Sequence, residues 1–280
     1  MRIFASASAA AVALAACFAV VPPATGAVKP VHPPSVTRVQ PGGPIAVSRS
    51  KPASHGPAMR DTSKVVSSNW GGYASLRSGS RFRYVQSTFF VPYADCRSTP
   101  DSFSAHWVGL DGLTDTTVEQ DGVLAACAGT KPVYVAWYEM FPRPPVFKRI
   151  TVRPGSSVVA SVYYDSRTRA FRLSLVNTTN GQSFHVTRRC PHGAVCRRAS
   201  AEVISEAPAS RNGILPLTDF RAESYSSTKV TSGSGHRGGL RSPWWRTVSI
   251  TTINNSGQIL DQPTSIFHGT AFDTYWMREG

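Results

Sequence analysis

From residue 67 onward the chain breaks into short runs of alternating apolar and polar residues, separated by turn-forming residues. The runs at 84–91, 105–110, 133–140, 157–164, 171–177 and 247–253 read as strands, because their side chains fall on two faces with period two. Pro92 stops the first, and Phe141-Pro142-Arg143-Pro144-Pro145 closes the third. Asn180-Gly181 marks a tight hairpin because both residues tolerate positive φ, and 254–257 repeats that grammar. Outside the N-terminus no window of helical length keeps a 3.6-residue apolar period. Many short strands at this spacing predict an all-β sandwich or barrel.

The N-terminus has a different texture. Arg2, an Ala-rich apolar stretch, and Pro22-Pro23 before small residues predict a secretory signal over 1–27. The apolar run is too short for a membrane span. Residues 28–64 are rich in Pro, Ser and basic groups and lack an apolar period, which predicts a disordered linker or pro-segment; the folded domain is expected over 65–280.

Export changes how the cysteines are read. With Cys17 in the signal, Cys96, Cys127, Cys190 and Cys196 remain, an even count that predicts two disulfides. Local spacing favours 190–196, leaving 96–127. The alternative, a metal loop around His192, lacks a fourth ligand in the sequence. The formal charge of +14 admits anionic partners, but the arginines from 143 to 172 are scattered singly. No nucleic-acid motif accompanies them, and a secreted protein poor in carboxylates accounts for the balance.

Candidate chemistry emerges by elimination. The chain has no Gly-x-Ser-x-Gly elbow, no His-Glu-x-x-His and no phosphate-binding glycine loop. His106 points away from the face of Trp107 and reads as a packed or solvent-facing residue. Period two puts Trp107, Gly109 and Asp111 on one face, and Trp137 and Glu139 on another strand's shared face. It also puts Glu202 and Glu206 on one face, about 13 Å apart, too far for both to act on one bond.

Five motifs then occur in order: Asn69-Trp70-Gly71-Gly72-Tyr73, Trp107-Val108-Gly109-Leu110-Asp111-Gly112, Gln120-Asp121-Gly122-Val123, Ala136-Trp137-Tyr138-Glu139 and Ala201-Glu202-Val203-Ile204-Ser205-Glu206. Together they resemble the glutamic peptidases, the eqolisin or G1 family of secreted, pepstatin-insensitive acid endopeptidases. The resemblance implies a β-sandwich of two large antiparallel sheets with an active groove on the concave face of one. It implies a catalytic dyad of Gln120 and Glu206, with Trp107, Asp111, Trp137, Tyr138, Glu139 and Glu202 binding substrate or supporting the groove. It further implies a monomer acting on polypeptides, without cofactor, metal, nucleic acid or membrane. The Trp107-to-Gln120 segment is shorter than the family's usual spacing, Val203 replaces an aromatic, and the chain is basic where fungal members are acidic.

Two other functions fit the residues alone. A non-catalytic sandwich would bind carbohydrate through Trp70, Trp107, Trp137 and Tyr138. A glycosidase would use a carboxylate pair such as Glu139 with Glu206, at a separation of roughly 5–9.5 Å.

Overall fold

The structure is a computed structural model that describes residues 63–280 and the two-residue strand Val47–Ser48. No helix occurs among these residues. In chain order the strands are β1 (Val47–Ser48), β2 (Ser63–Ser67), β3 (Trp70–Leu76), β4 (Phe82–Phe90), β5 (Phe103–Leu110), β6 (Val118–Ala128) and β7 (Lys131–Phe141). Next come β8 (Val146–Lys148), β9 (Ser157–Asp165), β10 (Ala170–Asn177), β11 (Ser183–Arg188) and β12 (Ser200–Glu206). The chain ends with β13 (Ala209–Ser210), β14 (Gly213–Ile214), β15 (Ala222–Ser232), β16 (Arg237–Gly238), β17 (Arg246–Ile253), β18 (Ile259–Pro263) and β19 (Phe272–Trp276).

Strand pairing resolves two large sheets. One runs β2-β17-β3-β12-β5-β6-β7-β8, antiparallel except for the parallel β2–β17 pair, with β1 added outside β2. The other runs β11-β10-β9-β4-β15-β19-β18, antiparallel throughout. A β17–β18 pairing joins the two at one edge. The all-β sandwich expected from the alternation is therefore present.

The main core lies between the sheets, where Val108, Leu110, Val123, Met140 and Val203 of the first sheet share a cluster with Phe89, Val162, Leu173 and Tyr225 of the second. Each fully buried large apolar side chain contributes roughly 1.5–3 kcal/mol. The opposite face of the first sheet carries its own cluster, containing Trp70, Trp107, Trp137 and Ile204. With apolar residues on both faces, β5 and β12 are buried along their whole length, whereas β4 and β9 keep the half-buried alternation of an outer layer.

Both disulfides pair as local spacing favoured. Cys96–Cys127 ties the loop after β4 to the end of β6, and Cys190–Cys196 closes the loop entering β12. Of the segment 28–64, only residues 47–48 and 63–64 lie within the described residues: Val47–Ser48 pairs with β2, which itself starts at Ser63. The signal at 1–27 and the rest of that segment lie outside them.

Candidate active site

Three cross-strand rows on the outer face of the first sheet organise the site. One row is Trp70, Glu206, Ala105, Leu124 and Val135. The next is Gly72, Ile204, Trp107, Gly122 and Trp137. The third is Ala74, Glu202, Gly109, Gln120 and Glu139. Successive rows are two residues, or about 6.8 Å, apart along each strand. The register thus brings Gln120, Glu139, Glu202, Glu206, Trp107 and Trp137 to one face from four strands.

Two glycines make room for this arrangement. A Cβ at Gly109 would meet the Trp107 ring at 2.9 Å and Gln120 Cβ at 3.2 Å. At Gly122 it would lie 2.6 Å from Trp107 Cβ. Both glycines are therefore places where the Trp107 side chain crosses its neighbours, which is the physical content of the Trp-Val-Gly and Gln-Asp-Gly motifs.

Glu206 is held by two N–H donors. Trp107 Nε1 donates to Oε2 at 2.8 Å, and Asn69 Nδ2 donates to Oε1 at 3.3 Å. Asn69 is itself fixed by Ser67, whose hydroxyl donates to Asn69 Oδ1 and accepts from the Asn69 backbone N–H. Two rows away, Gln120 Nε2 donates to Glu139 Oε2 at 2.8 Å. Burial holds the Glu139 carboxyl well above the usual range; the Glu206 charge adds to that rise and the Gln120 bond opposes it.

Glu202 shares strand and face with Glu206 but not its surroundings. Both of its carboxyl oxygens are buried without a hydrogen-bond partner at ordinary distance. Burial is the largest cause of its strong upward pKa shift, with Asp111 and Asp115 adding to it and the Ser200 hydroxyl opposing it. A neutral carboxyl is the state such a pocket favours.

Asp111 and Tyr138 are placed differently. β5 ends at Leu110, and Asp111 takes a positive φ of 73°. Its carboxylate accepts from the backbone N–H of Ala199, so it pins the entry to β12. Burial and Asp115 push its pKa up to about 7. Tyr138 sits on the inter-sheet side of β7, near Phe184, and its hydroxyl accepts from Arg188. It is not brought to the face shared by Trp137 and Glu139.

His106 also lies on the inter-sheet side, buried against Phe220 and within hydrogen-bond distance of Ser104, Ser205 and Tyr225. The packed-residue reading therefore holds. Trp70, Trp107 and Trp137 are themselves buried, and Trp70 meets Trp107 edge-on at 4.9 Å. No group of three or more metal-ligating side chains with ligand geometry occurs among the described residues. Asn69 was not singled out as a site residue; its position inside the Asn-Trp-Gly-Gly-Tyr motif was the available signal.

A carboxylate held by N–H donors on the same sheet face as an oriented side-chain amide is a constellation for acid-base hydrolysis of an acyl bond. Residues 68–267 match the model of the Peptidase A4 family. Scytalido-glutamic peptidase, solved with a transition state analog inhibitor, is similar at 28% identity and a TM-score of 0.64, covering 75% of this chain and 98% of that one. SCP-B, an eqolisin-family peptidase solved with the tripeptide Ala-Ile-His, is similar at 27% identity and a TM-score of 0.61, with the same coverage. Aspergilloglutamic peptidase from Aspergillus niger is similar at 25% identity and a TM-score of 0.56, covering 63% of this chain and 99% of that one. No curated protein matches.

The chain belongs to the Peptidase A4 family, that of the glutamic or eqolisin endopeptidases, and is a peptide hydrolase of that class. Its two disulfides agree with an extracellular location. No helix among the described residues is long and apolar enough to cross a membrane.

Proposed function

We propose that Glu206 and Gln120 are the catalytic dyad of this endopeptidase. The observation that carries the assignment is the unequal treatment of the acids on one sheet face: Glu206 is gripped by Trp107 and Asn69, whereas neither carboxyl oxygen of Glu202 has a hydrogen-bond partner at ordinary distance. Glu206 takes a proton from water as the oxygen attacks the peptide carbonyl, then delivers it to the departing nitrogen. Gln120 donates an amide N–H to the developing oxyanion. An amide does not titrate, so this role is independent of pH. Glu139 receives the other Gln120 N–H and fixes the amide's orientation, while Trp107 and Asn69 orient the Glu206 carboxylate.

The chain is exported with loss of 1–27 and acts as a monomer on polypeptides, without cofactor or metal. Cleavage of an acid-denatured protein at about pH 3–4 in the presence of pepstatin is the expected result. Full activity in Gln120→Ala or Glu206→Gln would remove the assignment.

A further inference from the structure

Away from the dyad, an open cleft of about 1230 Å³ is walled by three segments. The turn between β3 and β4 supplies Arg77 and Arg81, the segment spanning the end of the Cys190–Cys196 loop supplies Val195 and Arg197, and the approach to β17 supplies Trp244 and Arg246. No acidic residue lines it. The ion pairs among the described residues involve Arg172 and Arg221, so none of these four guanidinium groups is paired with a described acid. Arg77 Nη1 is buried with no hydrogen-bond partner. Trp244 is 45% exposed and stacks on His236 at 3.8 Å, which puts an aromatic surface beside the cations.

Converging planar guanidinium forks without counterions suit carboxylates, which they bind in pairs of parallel hydrogen bonds. The cleft's position indicates which polyanion to expect. Leu76, in its wall, pairs with both Ser200 and Arg246, one row beyond the row of Ala74 and Glu202. Trp70, at the other end of β3, pairs with Glu206. Those ends are about 20 Å apart, the span of roughly six residues of extended polypeptide.

We propose that this cleft is an exosite for an acidic stretch of the polypeptide substrate, about six residues from the bond cleaved at Glu206. The inference rests on the peptidase assignment, because an extended peptide crossing the dyad's sheet face along β3 would run into the cleft. Val195 and Trp244 would contact its aliphatic stems, and the four arginines its carboxylates.

The test uses a fluorescent peptide with an Asp/Glu-rich tail and its Asn/Gln counterpart, at about pH 5 where the acids are ionised. Anisotropy with the Glu206→Gln protein reads binding without turnover. Tighter binding of the acidic peptide by about tenfold at low salt is expected, fading as salt rises. The advantage should collapse in Arg81→Gln/Arg197→Gln/Arg246→Gln, which alters three exposed residues, with circular dichroism confirming the fold. Arg197→Gln alone repeats the measurement with the smallest change. In the wild type the preference should appear in KM rather than kcat.

Equal affinity for both peptides, or a preference that survives the triple substitution, overturns the exosite. Binding of polygalacturonate that the triple substitution abolishes, without any peptide preference, overturns the peptide assignment in favour of a polysaccharide. If the wild type cleaves neither peptide, the peptidase assignment fails while the binding measurement still decides the exosite.

Discussion

The two ends of β12 carry the same side chain on the same face and treat it in opposite ways. Glu206 accepts from an indole and a carboxamide N–H, which favour its charged form. Glu202, four residues earlier, is buried, with only the Ser200 hydroxyl opposing the rise in its pKa, and is favoured as a neutral acid. Burial alone therefore does not set the character of a carboxyl. The difference lies in what flanks each acid: Trp107 of β5 and Asn69, just before β3, reach Glu206, whereas Glu202 pairs with Ala74 of β3 and Gly109 of β5.

The largest expected effect separates these two acids. Glu206→Gln should lower kcat by about 10²–10⁴-fold, the range for losing a general acid-base group. Glu202→Gln should leave kcat within a few-fold, and an equal loss in both variants would break the contrast. Gln120→Ala should cost about 10²–10³ in kcat, as for removal of an oxyanion donor. Trp107→Phe removes one N–H from Glu206; a hydrogen bond to a charged group is worth about 1.5–3 kcal/mol, so activity should fall about 10- to 100-fold.

The smallest effect is on stability against pH. Burial raises Asp111 and Asp261 to about 7 and Glu202 well above its usual value. Each native carboxyl therefore keeps a proton that the unfolded chain releases near pH 4, so its contribution is full below about pH 4 and lost as pH rises toward 7. His106, pushed down to about 3 by burial, acts oppositely and costs stability as pH falls from about 6.5 toward 3. Several carboxyls outweigh one histidine, so Tm should fall from about pH 4 to pH 7. Replacing Glu202 by Met should narrow that drop by a few degrees in thermal melts across this range.

The outer strands were legible because each has one wet face. β9, β10 and β17 alternate clearly, and the Asn180-Gly181 turn lies between β10 and β11 as expected, with Gly181 but not Asn180 at positive φ. β6 was not read as a strand, because Glu119, Gln120 and Asp121 interrupt its apolar pattern. The interruption has a tertiary cause. Gln120 turns to the outer face, while Asp121 is buried on the inter-sheet side, its pKa raised chiefly by that burial, with the Ser174 and Ser161 backbone opposing the rise. β15, rich in Ser and Thr, offered too weak a period to be recognised. Tyr138 was grouped with Trp137 and Glu139 by motif, although its own parity already put it on the other face.

By itself the sequence determined the strand texture, the cysteine partners favoured by spacing, and the ordered motifs that mark a glutamic peptidase. All of these are local, written in period two, turn chemistry and short spacings. Only the tertiary structure decided how those motifs meet. Cross-strand register aligned Gln120 with Glu139 and set Glu206 beside Trp70, and the N–H donors to Glu206 come from residues 99 and 137 positions away. Hydrogen bonding and desolvation are set by neighbours in space, so of two glutamates alike in sequence context one is held by Trp107 and Asn69 and the other has its pKa raised by burial.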